Sequence, residues 1–301
     1  MCCRIITGAA LIAGAARRMH IGVMTRTTRI ANEAVPALGQ GTWQLGDRRA
    51  RRQQEIAALR RGIDLGLTLI DTAEMYGNGA SEELVAEAIA GWRDEIFLVT
   101  KVLPGNASSR KKILACCEQS LRRLLTDRID LYLLHWRSGE DLPATVDTFN
   151  ELVHAGRIRH WGVSNFDVQD LDELRSLPGG DAVACNQVLY NLTRRGIEFD
   201  LLPGTRKPPL NVMAYTPIEQ GQILGHATLE AIAGRHGATP VQIALAWVIR
   251  HDNVLAIPRT GSTAHVEENA GAMQVRLTAE DLQEIDAAFP PPTRKRPLEM
   301  I

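Results

Sequence analysis

Residues 96–101 read Ile-Phe-Leu-Val-Thr-Lys, and residues 129–135 read Ile-Asp-Leu-Tyr-Leu-Leu-His. Both runs are apolar over four consecutive positions, without the alternation of apolar and polar residues that marks a half-exposed strand. Strands buried on both faces are typical of parallel sheets covered by helices. The two runs therefore predict a parallel sheet, and each of them ends on a polar residue, Lys101 or His135.

Similar apolar runs recur along the chain and predict six further strands, at residues 37–42, 68–71, 158–163, 183–187, 210–214 and 254–258. Amphipathic segments lie between most of these runs. The exception is residues 196–209, which contain three prolines. Because proline disrupts regular helices, this segment predicts an irregular crossover in place of a sixth helix.

Several helices have recognisable starts. Residues 239–242, Thr-Pro-Val-Gln, combine a capping box with proline at the first helical position. Ser81 is expected to cap another helix, whose first turn carries Glu82 and Glu83. Thr278, followed by Asp281, predicts an additional helix after the eighth strand.

Alternating strands and helices indicate an α/β fold, with either an open doubly wound sheet or a closed barrel. An open dinucleotide-binding sheet carries Gly-x-Gly-x-x-Gly after its first strand, whereas residues 39–44 read Gly-Gln-Gly-Thr-Trp-Gln. Eight repeats in roughly 260 residues fit a (β/α)8 TIM barrel. We therefore predict this barrel with an additional C-terminal helix, as a single domain over residues 34–301. Residues 1–33 are predicted to be an extension that is poorly ordered or precedes the native start.

Composition restricts the class of partner. The 34 Lys and Arg residues balance 35 Asp and Glu residues, giving a formal net charge of −1. Charges of both signs are spread along the chain, which argues against nucleic acid binding. The five cysteines include two adjacent pairs and suit neither a disulfide framework nor a Cys-x-x-Cys metal site. Reduced thiols in the cytoplasm are the simpler interpretation, and we expect a monomer or a weak homo-oligomer.

The first residues contain a short apolar run, residues 5–16, which is too short to span a membrane. An export signal would continue with small uncharged residues, but Arg17 and Arg18 follow. We therefore expect a cytoplasmic protein rather than an exported or membrane protein.

Enzymes with this barrel carry their reactive residues at the C-terminal ends of the strands. The polar residues at or just beyond these ends are Asp71, Lys101, His135, Ser164, Asn165, Asn186, Gln187, Tyr215 and Arg259. Asp71 and Lys101 are expected to pair, because a charge among apolar residues is costly without a partner. A purely structural ion pair would explain these two residues equally well.

Tyr76 lies five residues beyond Asp71 and favours a catalytic interpretation. A nearby Lys101 ammonium is expected to lower the tyrosine pKa from about 10 towards neutrality. Such a tyrosine can protonate a carbonyl oxygen that receives a hydride. A neutral His135 could donate a hydrogen bond to the same oxygen, although many buried histidines are structural.

Other chemistries have less support. A metal site would need several His, Asp or Glu residues at strand ends, and Lys101 occupies one of those places. The chain has no Gly-x-Ser-x-Gly motif for a serine nucleophile. Lys101 could form a Schiff base, but that scheme gives Tyr76 and His135 no role.

The chain resembles the aldo/keto reductase superfamily from about residue 36 to residue 289. The segments that carry the resemblance are Asp71-Thr72-Ala73-Glu74-Met75-Tyr76-Gly77, Lys101, Leu133-Leu134-His135-Trp136, Gly162-Val163-Ser164-Asn165-Phe166, Asn186-Gln187 and Ile257-Pro258-Arg259. Residues 39–43 and 195–203 are similar to those of bacterial members typed as methylglyoxal reductases. The resemblance implies an NADPH-dependent reductase of small aldehydes and ketones, with NADH as an alternative cofactor and no metal.

The resemblance also implies roles for individual residues. Tyr76 would protonate the carbonyl, and Asp71 and Lys101 would adjust the pKa of Tyr76. His135 would orient the substrate. The implied cofactor-binding residues are Thr42, Trp43, Ser164, Asn165, Gln187, Tyr215, Arg259, Thr260, His265, Glu268 and Asn269. Short loops after the fourth and seventh strands predict a shallow substrate pocket. We expect its apolar face to be formed by Trp43, Trp136 and Phe166, with plain packing as the alternative.

Three departures from the family pattern concern the cofactor. Arg259 replaces the commonest lysine and Thr260 the commonest serine, so the charge and the hydroxyl are kept. His265 replaces a frequent arginine and thereby removes a bidentate phosphate donor. NADPH is expected to be preferred over NADH by a reduced margin. A different class of function is also open, because some relatives with this barrel are cofactor-binding regulatory subunits of a membrane channel.

Overall fold

Ten strands are present in the computed structural model, which describes residues 26–139, 141–205 and 209–301. The strands are β1 (Thr27–Ile30), β2 (Glu33–Pro36), β3 (Gln40–Gly41), β4 (Leu69–Asp71), β5 (Phe97–Val102), β6 (Ile129–Leu134), β7 (Ile158–Ser164), β8 (Val183–Leu189), β9 (Asn211–Tyr215) and β10 (Val254–Ala256). Strands β3 to β10 form one sheet in chain order, and each neighbouring pair is parallel.

The sheet closes into a barrel through contacts between its first and last strands. Leu38 bridges Ala256 and Gly41 bridges Arg259, both in parallel, and the Gly39 amide donates to the Ala256 carbonyl at 2.9 Å. A Cβ atom at Gly41 would lie 2.8 Å from the Ile257 carbonyl oxygen, so a glycine is needed at this approach. The predicted (β/α)8 barrel is confirmed.

Helices surround the barrel, and two of those described follow its last strand. They are α1 (Arg52–Asp64), α2 (Ala80–Ala88), α3 (Arg110–Arg123), α4 (Leu142–His154), α5 (Val168–Ser176), α6 (Leu201–Gly204), α7 (Ala227–His236), α8 (Pro240–Val248), α9 (Thr263–Gly271) and α10 (Ala279–Ala288). Thr239 and Thr278 form capping boxes at the starts of α8 and α10, as predicted. The additional C-terminal helix is therefore present.

Two segments between the strands, the start of α2 and residues 196–209, test predictions made from the sequence. The prediction that Ser81 caps α2 is wrong, because Gly79, with φ +95°, precedes the helix directly and Ser81 lies in its first turn. The Ser81 hydroxyl instead donates to the Thr42 hydroxyl at 2.8 Å. The helical elements among the described positions of residues 196–209 are a 3-10 turn and the four-residue α6, which agrees with the predicted irregular crossover.

The apolar residues of β6 divide between two cores. Leu131 and Leu133 belong to the cluster inside the barrel, whereas Tyr132 and Leu134 belong to the cluster between the barrel and the helices. Both faces of β6 are buried. This explains why the sequence of the strand shows no alternation of apolar and polar residues.

The hairpin formed by β1 and β2 corrects the predicted extension over residues 1–33. Its antiparallel strands place Ile30 and Val35 in the cluster inside the barrel. Glu33 accepts from His160 at 2.7 Å and pairs with Arg159 at 2.9 Å, both near the start of β7. Residues 26–33 are therefore part of the fold, and residues 1–25 lie outside the described residues. Within the part of the chain that is described, no helix is long and apolar enough to cross a membrane.

Candidate active site

Three neighbouring strands bring Asp71, Lys101 and His135 to the same end of the barrel. Lys101 is completely buried, and its ammonium group donates to Asp71 Oδ2 at 2.8 Å and to the Thr72 carbonyl at 2.9 Å. It donates a third hydrogen bond to the Tyr76 hydroxyl at 3.2 Å. An ammonium group has three donors, so these bonds use all of them.

A left-handed turn follows Tyr76 in the loop after β4. Gly77, Asn78 and Gly79 all have positive φ, and a Cβ atom at Gly77 would lie 2.6 Å from Asp47 Oδ1. Glu74 fixes the same loop, since its Oε1 accepts from the Leu103 amide at 2.8 Å. The sequence did not reveal this positioning role, although Glu74 lies within the motif at residues 71–77.

The electrostatic prediction for Tyr76 is wrong in sign. Burial raises the tyrosine pKa above its ordinary value, and the Lys101 ammonium only partly opposes this effect. Burial also disfavours the Lys101 ammonium, but the charge of Asp71 and the hydrogen bonds to Asp71 and Tyr76 outweigh this effect and raise the lysine pKa. At neutral pH the site therefore holds a protonated phenol beside a protonated lysine.

His135 is a neutral imidazole in this environment. Burial, with a smaller contribution from Lys101, lowers its pKa to about 2. Its ring lies edge-on to the Tyr76 ring, with 5.9 Å between the centroids. Among the described residues, the buried Nδ1 atom has no hydrogen-bond partner. A neutral ring with an unsatisfied polar atom is suited to a hydrogen bond with a bound molecule.

The low His135 pKa predicts a loss of stability in acid. The unfolded chain takes up a proton below pH 6.5, whereas the folded chain does not until about pH 2. This group should therefore lower the free energy of unfolding by about 2 kcal/mol between pH 7 and pH 5. Urea unfolding at both pH values should show a smaller loss for His135→Gln than for the parent. The exposed His154→Gln should lose as much stability as the parent, and equal losses in all three proteins would contradict the prediction.

A chain of hydrogen bonds connects Asp71 to the ends of β7, β8 and β9. Gln187 Nε2 donates to Asp71 Oδ1 at 2.8 Å, and Ser164 Oγ donates to the Gln187 carbonyl at 2.9 Å. Asn165 Nδ2 donates to Ser164 Oγ at 3.1 Å, and the Tyr215 hydroxyl donates to Asn165 Oδ1 at 3.0 Å. These amide and hydroxyl groups form a polar cradle beside His135, of a kind that fits the carboxamide and ring of a nicotinamide.

A second polar region follows β10. Arg259 Nε donates to the Trp43 carbonyl at 2.8 Å, and the Thr260 hydroxyl lies 3.5 Å from His265 Nδ1. Ser262 precedes α9 without capping it through its side chain. A helix N-terminus next to an exposed arginine fits an anionic phosphate. Glu268 and Asn269 lie further along α9, and their contact with an adenine stays a prediction.

Two of the predicted binding residues are enclosed. Phe166 is completely buried in the outer core, and its carbonyl accepts from Asn186 Nδ2 at 2.9 Å. The prediction that Phe166 lines the substrate pocket is therefore wrong, since it is a packing residue. Thr42 is also fully buried, and its hydroxyl donates to the Asp71 carbonyl at 2.9 Å. Its side chain thus supports the strand end that carries Asp71.

The two tryptophans differ from Phe166 in their exposure. Trp43 is 46% exposed, and Trp136 is partly exposed with its ring 5.0 Å from the His135 ring. Both can present an apolar surface near the candidate site. Their contact with a substrate stays a prediction.

Comparison with known proteins identifies the family. The profile of the aldo/keto reductase family matches residues 37–289, which is most of the chain. The chain belongs to the aldo/keto reductase family. The predicted family membership is therefore confirmed, together with the barrel that the resemblance implied.

Individual relatives are similar over nearly their whole length. Methylglyoxal reductase YeaE of Escherichia coli is 49% identical over 273 residues, which cover 89% of this chain and 96% of the relative. A Klebsiella pneumoniae aldo/keto reductase, solved in complex with NADP and acetate, has a TM-score of 0.90 and 49% identity. That match covers 92% of this chain and 100% of the solved one. The thermostable aldo-keto reductase Tm1743 gives a TM-score of 0.81 at 38% identity, over 88% of this chain and 99% of the other.

Proposed function

We propose that this aldo/keto reductase uses NADPH to reduce small aldehydes and ketones, with methylglyoxal as a representative substrate. The observation that carries the proposal is the Lys101 ammonium, which donates to both the Asp71 carboxylate and the Tyr76 hydroxyl near a neutral His135. Relatives named as a methylglyoxal reductase and solved with NADP support the substrate class and the cofactor.

The proposed chemistry is a proton transfer coupled to reduction. NADPH, when bound, would supply the hydride that the carbonyl carbon receives. Tyr76 donates its proton to the carbonyl oxygen, and Lys101 stabilises the resulting phenolate through the existing hydrogen bond. His135 donates a hydrogen bond from its neutral ring to the same oxygen and fixes its position. The raised Tyr76 pKa keeps the phenol protonated before the reaction, and it makes stabilisation of the phenolate by Lys101 essential.

The cofactor is proposed to lie along the two polar regions of the barrel end. Ser164, Asn165 and Gln187 would bind the nicotinamide carboxamide, and the Tyr215 ring would stack on the nicotinamide. Arg259 and Thr260, next to the start of α9, would receive the 2′-phosphate of the adenosine. His265, Glu268 and Asn269 would contribute to the same end of the cofactor.

Arg259→Ala tests the phosphate assignment. Removing the guanidinium group is expected to raise the KM for NADPH well over tenfold, because a charged donor to a phosphate is lost. The KM for NADH, which has no 2′-phosphate, should change much less. Steady-state kinetics with both cofactors at a fixed aldehyde concentration would measure the difference. Equal effects on the two cofactors would contradict the assignment.

The proposed function itself is tested by the oxidation of NADPH in the presence of methylglyoxal and other small aldehydes and ketones. The parent protein is expected to consume NADPH in proportion to added substrate, and isolation of the corresponding alcohol should account for it. A parent protein that binds NADPH but reduces none of these carbonyl compounds would contradict the proposal.

The structure disfavours a covalent mechanism at Lys101. A lysine nucleophile must be available as a neutral amine, whereas the Lys101 pKa is raised and all its donors are engaged. Borohydride with substrate should therefore trap no adduct on this lysine. The regulatory-subunit alternative is not favoured either, because the relatives identified above are named as reductases.

The remaining proposals concern the domain organisation, the partners, the oligomeric state and the cellular location of the protein. We infer a single barrel domain that includes the β1–β2 hairpin, with no nucleic acid or membrane partner. A monomer or weak homo-oligomer in the cytoplasm agrees with the balanced charge and the reduced cysteines expected from the sequence.

A further inference from the structure

The loop after β9 has an unusual backbone. Thr216, Glu219 and Gln220 have φ values of +51°, +45° and +54°, in the left-handed region that favours glycine. Such residues persist where the surrounding structure holds them in place. The loop begins immediately after Tyr215, whose ring is proposed to carry the nicotinamide. The side-chain contacts that hold this loop therefore also affect the position of Tyr215.

Two side chains from the segment after β8 hold the loop. Asn191 Nδ2 donates to the Thr216 carbonyl at 2.9 Å and to Glu219 Oε2 at 2.6 Å. Arg194 donates to Glu219 Oε1 through both Nε and an Nη atom, at 3.2 Å each. Its other Nη atom donates to Glu299 at 2.9 Å. Arg194 thus joins the strained loop to the last residues of the chain.

Residues 290–301, here named the C-terminal strap, cross the segment that carries Arg194. Lys295 lies 3.4 Å from Asp200, and strap residues 295–299 line a shallow groove together with Arg194, Ile197 and Leu201. Burial raises the pKa of Tyr215 to about 12, and the backbone of Ile301, at the end of the strap, lies close enough to the tyrosine hydroxyl to oppose part of that rise. That hydroxyl donates in turn to Asn165, at the centre of the polar cradle.

We propose that Arg194 is a positioning residue for Tyr215 and, through it, for the nicotinamide. Its planar guanidinium donates to Glu219 through two nitrogen atoms and to Glu299 through the third, a geometry that a lysine ammonium does not match, and so joins the loop after Tyr215 to the strap. The inference rests on the proposed function, since it requires the nicotinamide to lie on Tyr215. Arg194 itself is not a catalytic residue, because it contacts the site only through other residues.

If Arg194 served only to stabilise the fold, its removal would lower the melting temperature. Its side chain is 37% exposed, and ion pairs at such positions contribute little to the stability of the fold. Arg194→Ala should therefore change the melting temperature no more than Arg110→Ala does. Arg110 is a matched control, because it forms a bidentate surface pair with Glu151 between α3 and α4. Removal of Arg194, but not of Arg110, should weaken NADPH binding.

The experiment measures the NADPH dissociation constant by fluorescence titration, together with the melting temperature. Arg194→Ala is expected to raise the dissociation constant about tenfold, with Arg110→Ala unchanged and Arg194→Lys in between. In a Tyr215→Ala background, Arg194→Ala should add little further loss, because the residue that it positions is absent. A dissociation constant equal to the parent's, or a full tenfold loss in the Tyr215→Ala background, would overturn the proposal.

Three further outcomes are also decisive. If Arg194→Ala does not fold, Arg194→Lys replaces it, and unchanged NADPH binding in that variant overturns the proposal. A parent protein that does not bind NADPH refutes the proposed function and this inference together. A parent that binds NADPH and reduces methylglyoxal, with an Arg194→Ala variant that binds equally well, refutes the inference alone.

Discussion

Tyr76→Phe is expected to lower kcat by about 10²–10⁴, the usual contribution of a general acid. The phenylalanine ring keeps the packing beside His135, so the fold and NADPH binding should be retained. Only the proton donor and its hydrogen bond from Lys101 are removed. Steady-state NADPH oxidation with methylglyoxal measures kcat, and fluorescence titration measures NADPH binding.

Tyr132→Phe is the matched control for this prediction. Tyr132 is completely buried on the outer face of β6, and its hydroxyl has no partner among the described residues. Removing that hydroxyl should leave kcat unchanged and the stability equal or slightly higher. A Tyr76→Phe variant as active as Tyr132→Phe would show that another group protonates the substrate.

The raised Tyr76 pKa also determines the expected pH profile. A general acid acts in its protonated form, and the ordinary tyrosine pKa of 10.0 is raised further by burial. Loss of the proton should therefore not reduce kcat/KM of the parent between neutral pH and about pH 10. The sequence prediction of a lowered pKa implies a loss already near neutrality, so the profile distinguishes the two.

The barrel could be predicted because its strands are buried on both faces. Runs such as residues 129–135 are recognisable for that reason alone. Polar residues are expected where these runs end, because this barrel carries its reactive residues at the C-terminal ends of the strands. The β1–β2 hairpin could not be predicted in the same way. Its strands have four residues each, and Ile30 and Val35 are buried only because the barrel interior lies beneath them. That burial depends on the whole fold rather than on the local pattern.

The candidate site shows the same division between local and tertiary information. Motif spacing was sufficient to select Asp71, Tyr76, Lys101 and His135, which the barrel brings together. The sign of the Tyr76 pKa shift depends on desolvation, which has no sequence signature. The error on Phe166 has a similar origin, because only the three-dimensional packing shows that its ring faces the outer core.

Hydrogen bonds between residues far apart in the chain could not be predicted from the sequence either. Gln187 and Asp71 are 116 positions apart, yet their side chains lie within 2.8 Å. Glu74 and Leu103 are 29 positions apart and fix the loop that carries Tyr76. The spacing of residues along the chain gives no indication of either bond, because the first joins the non-adjacent strands β8 and β4 and the second joins the segments that follow the neighbouring strands β4 and β5.

Lys101→Met is expected to abolish activity and to lower the free energy of unfolding by about 3–5 kcal/mol. Lys101 and Asp71 are both buried, so removal of the ammonium leaves an unpaired carboxylate in the barrel. The hydrogen bond from Gln187 remains, but it brings no positive charge. Urea unfolding at neutral pH measures the change, and NADPH oxidation measures the loss of activity.

The double variant Asp71→Asn with Lys101→Met identifies the cause of that instability. It removes both charges, so it should recover much of the lost stability while staying inactive, because the phenolate of Tyr76 still lacks its cation. As the pH is lowered, the stability of Lys101→Met should also increase relative to that of the parent. Burial raises the Asp71 pKa and Lys101 opposes that rise, so in the single variant the folded chain takes up a proton more readily than the unfolded chain. A double variant no more stable than Lys101→Met would instead place the main contribution of Lys101 in its bonds to the Thr72 carbonyl and Tyr76.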